Sequence, residues 1–262
     1  MSLTPRIVTT ASLTLFLAPI SSATGLNFWE SSTSNSALAS ANGAAAVDAS
    51  ILATAPSSMT QLTSTTLTAS VTRYQVDTHY DILGTKSVYS RSDPIPASFM
   101  VIPLEPNWYV GIAAYSRTAA DISISEFRLP PPLNLRILDQ ARVRPIVVSL
   151  APSVAYKWGD VSVGAGIEYQ YADYLLERND CNFWGKCRSK VTKGDTDGWS
   201  AAVSATWKAS TWLTLAATHR LASDFGDHNI QFDLPSITSV YGTIAITDDW
   251  SWHNSFSLSR WN

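Results

Sequence analysis

The residues able to do chemistry are few and scattered. The four histidines, His79, His219, His228 and His253, stand at spacings that match no metal-binding pattern. Only His253 has a nucleophile and an acid nearby in sequence, with Ser251 and Ser255 on either side and Asp249 before them. A serine, an imidazole and a carboxylate are the parts of a hydrolase. Alternation sets His253 and both serines on one face, however, and serines there are ordinary filler of a polar wall. No Gly-rich phosphate loop occurs, so the reading is of a protein that is not an enzyme, with no cofactor and no metal. Glu168 is a lone carboxylate inside an apolar alternation; with the loop cations Arg136, Arg142 and Arg144 it is a candidate for meeting an acidic headgroup, although pairing among themselves is the simpler fate of such charges. Cys181 and Cys187 lie six positions apart in a polar segment, which in an exported chain predicts a disulfide. A net charge of −3 gives no sign of a nucleic-acid partner.

Export is indicated by the first residues. Arg6 precedes the apolar stretch Ile7 to Ile20, followed by the small residues Ser21, Ser22 and Ala23. This is the pattern of a signal peptide over 1–23, with cleavage expected after Ala23. Beyond it no apolar run reaches the roughly 18 residues of a membrane helix. Charged residues make up only 15% of the chain, against roughly 25% in soluble domains. A low charge content with abundant Trp and Tyr favours a chain that crosses a membrane as strands.

Alternation supplies those strands. Trp199, Ala201, Val203, Ala205 and Trp207 alternate with Ser200, Ala202, Ser204, Thr206 and Lys208. Val161, Val163, Ala165, Ile167, Tyr169 and Tyr171 alternate with Ser162, Gly164, Gly166, Glu168 and Gln170, which turns Glu168 to the polar side. The same template predicts strands near 64–76, 86–103, 108–117, 142–157, 161–175, 199–208, 212–222, 231–247 and 250–261. Short turns alternate with longer connections at 77–85, 118–141, 176–198 and 223–230, and aromatics flank every short turn. Short inner turns, long outer loops and an interfacial aromatic belt are the habit of an antiparallel transmembrane β-barrel. A soluble β-sandwich also alternates, but it has no need of aromatics at one end of every hairpin.

Residues 24–60 differ from the wall. They open Thr24-Gly25-Leu26-Asn27-Phe28-Trp29-Glu30 and continue through a Ser/Ala/Asn-rich run to Pro56 and Met59. A compact plug inside a lumen fits this composition, and a disordered leader is the alternative. The order of this aromatic start, Ala45-Ala46-Val47-Asp48-Ala49-Ser50 and Pro56 to Met59 resembles the N-terminal hatch of the FadL/TodX family of outer-membrane transporters. Pro94-x-Pro96 through Phe99 to Pro103, then Trp108-x-x-Gly111-Ile112, is similar to that family's early hairpin. Pro152-Ser153-Val154-Ala155-Tyr156-Lys157 with Gly159-Asp160 and Ser162 to Ile167 looks like its most recognisable strand pair. Gly198-Trp199, Leu234-Pro235 and Trp250 follow in family order. The hatch departs from the pattern, with Thr54-Ala55-Pro56-Ser57 where the family carries Asn-Pro-Ala, and with fewer glycines.

The resemblance implies an N-terminal hatch over 24–60 and barrel strands over 61–262, about nine or ten strands of a fourteen-stranded family barrel, with the closing strands missing. It implies passive passage of long-chain fatty acids, hydrocarbons or other hydrophobic small molecules across the outer membrane by a monomer in contact with outer-membrane lipid. Capture would occur on outer loops, handover in a pocket beside the hatch, and exit sideways through the wall. Ile124, Phe127, Leu129, Leu133 and Leu135 in the apolar segment 118–141, Phe28 and Trp29 in the hatch, and Glu168 are the candidate substrate path. Packing on the barrel rim or within the plug accounts for the same apolar residues. The competing functional readings are a non-transporting surface barrel fragment and an outer-membrane hydrolase.

Overall fold

The computed structural model describes residues 32–261 except 83–84, 105, 120, 125–126, 129–135, 182–185, 224 and 226–233; residues 74, 76–82, 85–93, 122, 124, 127–128 and 136–140 are described by backbone alone. Strands dominate. They are β1 (Thr66–Ile82), β2 (Thr85–Leu104), β3 (Trp108–Ala119), β4 (Ile122–Ile124), β5 (Phe127–Arg128), β6 (Arg136–Trp158), β7 (Val161–Cys181), β8 (Cys187–Lys208), β9 (Leu213–Arg220), β10 (Ser236–Ala245) and β11 (Ser251–Arg260). All belong to one antiparallel sheet. Nine form a continuous path, β1-β2-β3-β6-β7-β8-β9-β10-β11, while the short β4 and β5 pair with β6. No pairing joins β1 to β11 among the described residues.

The alternation seen in the sequence becomes two faces of opposite character. Val161, Val163, Ile167, Trp199, Val203 and Trp207 are exposed, whereas Ser162, Glu168, Gln170, Ser200, Ser204 and Thr206 are buried. A soluble sandwich has the reverse arrangement, because burying hydroxyls while wetting valines forfeits the hydrophobic term that holds it together. The turns at one end of the sheet are tight for identifiable reasons. Gly159, between β6 and β7, adopts φ +61°, a conformation that glycine takes without steric cost. Asn107 takes φ 76° before β3, as asparagine tolerates.

The sheet extends further than alternation foretold. The connections expected at 77–85, 118–141 and 176–198 are largely strand: β1 and β2 pair out to Ile82↔Thr85, β6 begins at Arg136, and β7 and β8 pair out to Cys181↔Cys187. Ile124 and Phe127 thus lie in β4 and β5, paired with β6, and not in a free loop. Backbone pairing continues there because each N–H and C=O still needs a partner even where side chains no longer alternate.

Residues 32–62 pack on the inner face. They form a helix at Thr33–Ala37 and 3-10 turns at Asn42–Ala44, Ala49–Ala53 and Pro56–Gln61. The helix is capped by Ser32, whose hydroxyl accepts from the Asn35 N–H, and Asp48 caps the second turn in the same way through Ser50. Ile51, Leu52, Met59 and Leu62 form a core with Phe99, Val101, Ala113 and Ala155 of the sheet. Hydroxyls secure the rest: Thr206 bonds Ser57 and Ser58 at 2.7 Å each, Thr60 bonds Ser162 at 2.7 Å, and the Ser57 N–H donates to Ser204 Oγ at 2.8 Å. The segment touches all nine strands of the path. At Gly164 the fit is so close that a Cβ would lie 2.5 Å from the Ser57 nitrogen, so only glycine lets the two backbones meet.

Candidate functional site

One seam of the sheet stands open. β2 pairs with β3 from Leu104↔Trp108 to Ser98↔Ala114 and no further, although β3 goes on pairing with β6 to Ala119↔Ile146 and β2 goes on pairing with β1. Pro94 and Pro96 explain the parting. Residues two apart point their N–H groups to the same edge of a strand, so two missing donors fall on one side of β2. Pairing to β1 runs past both prolines, while pairing to β3 ends just before them. Between the separated strands lies a cavity of about 790 Å³, lined mainly by apolar residues that include Val71, Ile95, Ala97, Ala114, Ile146 and Val148. Its polar margin holds Ser70, Asp121 and Arg144.

Tyr115 joins this cavity to a buried charge cluster. On β3 the register slips between Ser116 and Thr118, a bulge that leaves Arg117 unopposed. Both Tyr115 and Arg117 are buried as a result. Glu168 on β7 accepts from the Tyr115 hydroxyl at 2.9 Å and from Arg220 Nη1 at 2.9 and 3.3 Å, with Arg117 Nη1 3.6 Å away. Arg220, on β9, also reaches Tyr115 Oη at 2.5 Å and donates through Nη2 to the Ala53 carbonyl at 2.7 Å. One guanidinium thereby braces three strands of the sheet and the N-terminal segment. The carboxylate and its neighbours are nearly excluded from solvent, where a charge persists only if paired and hydrogen-bonded.

The predicted partners of Glu168 are corrected by this geometry. Arg142 forms a two-pronged pair with Asp121 at 2.8 and 3.0 Å, and Arg144 approaches Asp173 at 3.5 Å. Arg136 is described by its backbone in β6. Glu168 is met instead by Arg117 and Arg220, which sequence reasoning missed. A signal was present: Arg117 is the only charged residue in the predicted strand 108–117 and Arg220 the only Asp, Glu, Lys or Arg in 212–222. A lone cation in a wall strand needs a buried partner.

Other candidates are placed as follows. Cys181 and Cys187 are bonded, S–S 2.06 Å, at the far end of β7 and β8. Ile124 and Phe127 sit on β4 and β5 beside β6, away from Glu168 in sequence register. Phe28, Trp29, Leu129, Leu133 and Leu135, and residues 1–23 read as a signal peptide, lie outside the described residues. His253 Nε2 is 2.8 Å from Ser251 Oγ, but its Nδ1 faces Thr243 Oγ1 at 3.0 Å. A hydroxyl there does not orient and charge-stabilise an imidazole as a carboxylate does, so the serine and histidine lack the third member of a triad. No helix among the described residues is long and apolar enough to cross a membrane, which says nothing of strands.

No family model matches the sequence, and no curated protein matches it. Solved structures do match in shape. A Pseudomonas aeruginosa FadL homologue aligns with a TM-score of 0.67 at 13% identity, covering 91% of this chain and 70% of its own. The Ralstonia pickettii toluene transporter TbuX aligns at 0.57 and 10% identity, covering 84% and 70%. A TodX monoaromatic hydrocarbon channel, in a mutant named deltaS2S3, aligns at 0.62 and 13% identity, covering 80% and 65%. The second of these is a transporter and the third a channel, and the nine-strand antiparallel sheet has the fold of all three.

Proposed function

We propose that the chain forms the wall and inner hatch of an outer-membrane channel that passively carries long-chain fatty acids or other hydrophobic compounds. The cavity in the β2–β3 seam carries this reading. It is an apolar space opening through a wall whose outer face is itself apolar, so a greasy molecule can pass from the inside to lipid without crossing a polar layer. Residues 32–62, packed on the inner face and tied to it through Arg220, would obstruct a route along the sheet axis, which favours sideways exit. The exposed aromatics support a membrane setting. Trp207 and Trp199 lie on the same face of β8, eight residues apart, roughly 27 Å along the strand, a distance suited to two interfacial belts around a tilted hydrocarbon-spanning sheet. Entry would be from the outer end, where β4 and β5 add an apolar flap to β6. Partitioning and downstream consumption would drive the flow, with no covalent step.

Uptake tests the proposal. Expressed in a strain lacking its own transporter, the chain should restore entry of a labelled long-chain fatty acid or of toluene. Ala114, at the mouth of the cavity, offers a specific control: Ala114→Trp should lower uptake by about tenfold or more while the protein still shifts on a gel when heated, as a folded barrel does. Uptake that is never restored, or is indifferent to the tryptophan, would remove the transport reading.

A further inference from the structure

Just beyond the N-terminal segment, the inner face carries more positive than negative charge. Arg117 and Arg220 both approach Glu168, at 3.6 and 2.9 Å, so two cations share one carboxylate. Arg220 uses its donors on Glu168, Tyr115 and the Ala53 carbonyl. Arg117 does not. Its side chain is only 5% exposed, yet Nη2 is buried and meets no hydrogen-bond partner among the described residues. Both amide atoms of Gln170 are buried in the same condition, while Ser149 turns its hydroxyl toward Glu168.

Register brings these orphaned groups together. Tyr115 on β3 stands opposite Ser149 on β6, and Ser149 stands opposite Gln170 on β7. Gln170 follows Glu168 by one step on the same face, about 7 Å along the strand. A guanidinium and an amide, both with idle donors, therefore lie on one face beside a cluster in which, among the described residues, two cations share one carboxylate. A water there would accept hydrogen bonds but leave the charge unbalanced, and buried charge without a counterpart is disfavoured. A metal cation is repelled by the two arginines, and a multivalent anion would over-compensate a single excess charge.

We propose that this spot binds one small monovalent anion, of the class of chloride, accepting from Arg117 Nη2 and Gln170 Nε2. The ion is a fixed counter-charge of the wall and not the headgroup of a passing substrate. The seam cavity supports that distinction, since Tyr115 lines it while Arg117, Ser149 and Gln170 do not. The site makes the bulge at Arg117 tolerable: the extra residue brings in a cation that Glu168 alone cannot neutralise.

Bromide is the probe. In crystals of the full chain grown in sodium bromide, an anomalous peak is expected within hydrogen-bonding distance of Arg117 Nη2, and in detergent solution the bromide-81 resonance should broaden on adding protein. Arg117→Met should abolish both signals. Gln170→Leu, which leaves the charges in place, should weaken binding several-fold and keeps the proposal testable if the first variant does not fold. Octanoate added in excess should leave the bromide in place. A water in place of bromide, broadening that survives Arg117→Met, or displacement of bromide by octanoate would each overturn the proposal, the last by showing the site to be a headgroup subsite.

Discussion

The β7–β8 and β2–β3 seams start level at the short-turn end of the sheet and then part ways. The first pairs without a register break from Val161↔Trp207 to Cys181↔Cys187. The second runs from Leu104↔Trp108 only to Ser98↔Ala114. Neither β7 nor β8 contains proline, whereas β2 carries Pro94, Pro96 and Pro103. An opening in a sheet would ordinarily expose a row of unpaired backbone groups, a heavy penalty beside hydrocarbon. Two prolines on one edge remove donors that would otherwise be stranded, so the gap costs less than its length suggests.

The comparison is most sharply tested by giving the second seam the first one's chemistry. Replacing Pro94 with Thr and Pro96 with Val restores two N–H groups and should let β2 zip onto β3. Uptake should fall by about tenfold or more, and amide exchange across Ser116 to Ala119 should slow. If β3 exchanges as before, the prolines are not what holds the seam apart. Next in size is the brace. Glu168→Gln leaves two buried arginines without a carboxylate and should cost about 3–5 kcal/mol in urea unfolding from detergent. A loss below about 1 kcal/mol would mean that the cluster is wet and the brace weak.

Gly164→Ala probes the close contact on the intact side of the sheet. Its methyl group would press on the Ser57 backbone, and overpacking of this kind costs about 1–3 kcal/mol. The effect should be local, with faster exchange in residues 55–60 and unchanged exchange in β8. The smallest effect belongs to the far end of the long seam. Cys181→Ser breaks a disulfide that closes a loop of only a few residues and should lower stability by at most about 2 kcal/mol. An equal thermal midpoint with and without reductant would show that the paired strands alone hold that end together.

What was legible in the sequence was whatever an apolar outer face and a polar inner face impose on side chains. The polar face of β8 from Ser200 to Thr206, and the inward turn of Glu168, follow from period-two alternation. The extended ends of β7 and β8 were hidden because Arg178, Asp180, Arg188 and Lys190 read as loop, and a strand that buries neither face has no need to keep one of them apolar. The brace was half legible. Glu168 announced itself, but its partners come from β3 and β9, and which lumenal groups meet across a curved sheet depends on shear and on a bulge at Arg117 that no local pattern marks. The seam lay in plain view as Pro94-x-Pro96, read there as a likeness and not as two absent donors.

The contacts of residues 32–62 with every strand bear on the order of assembly. Successive strands of the path meet as neighbours in the chain or across short insertions, so hairpins can form early at small entropic cost. The Ser57 N–H, in contrast, must find Ser204 across 147 residues. This segment leaves the ribosome before any strand and can complete its contacts only after β8, β9 and β10 have arrived. Its docking is therefore the step that reports whether the sheet has curled to its final radius, and the first that a misregistered hairpin would block.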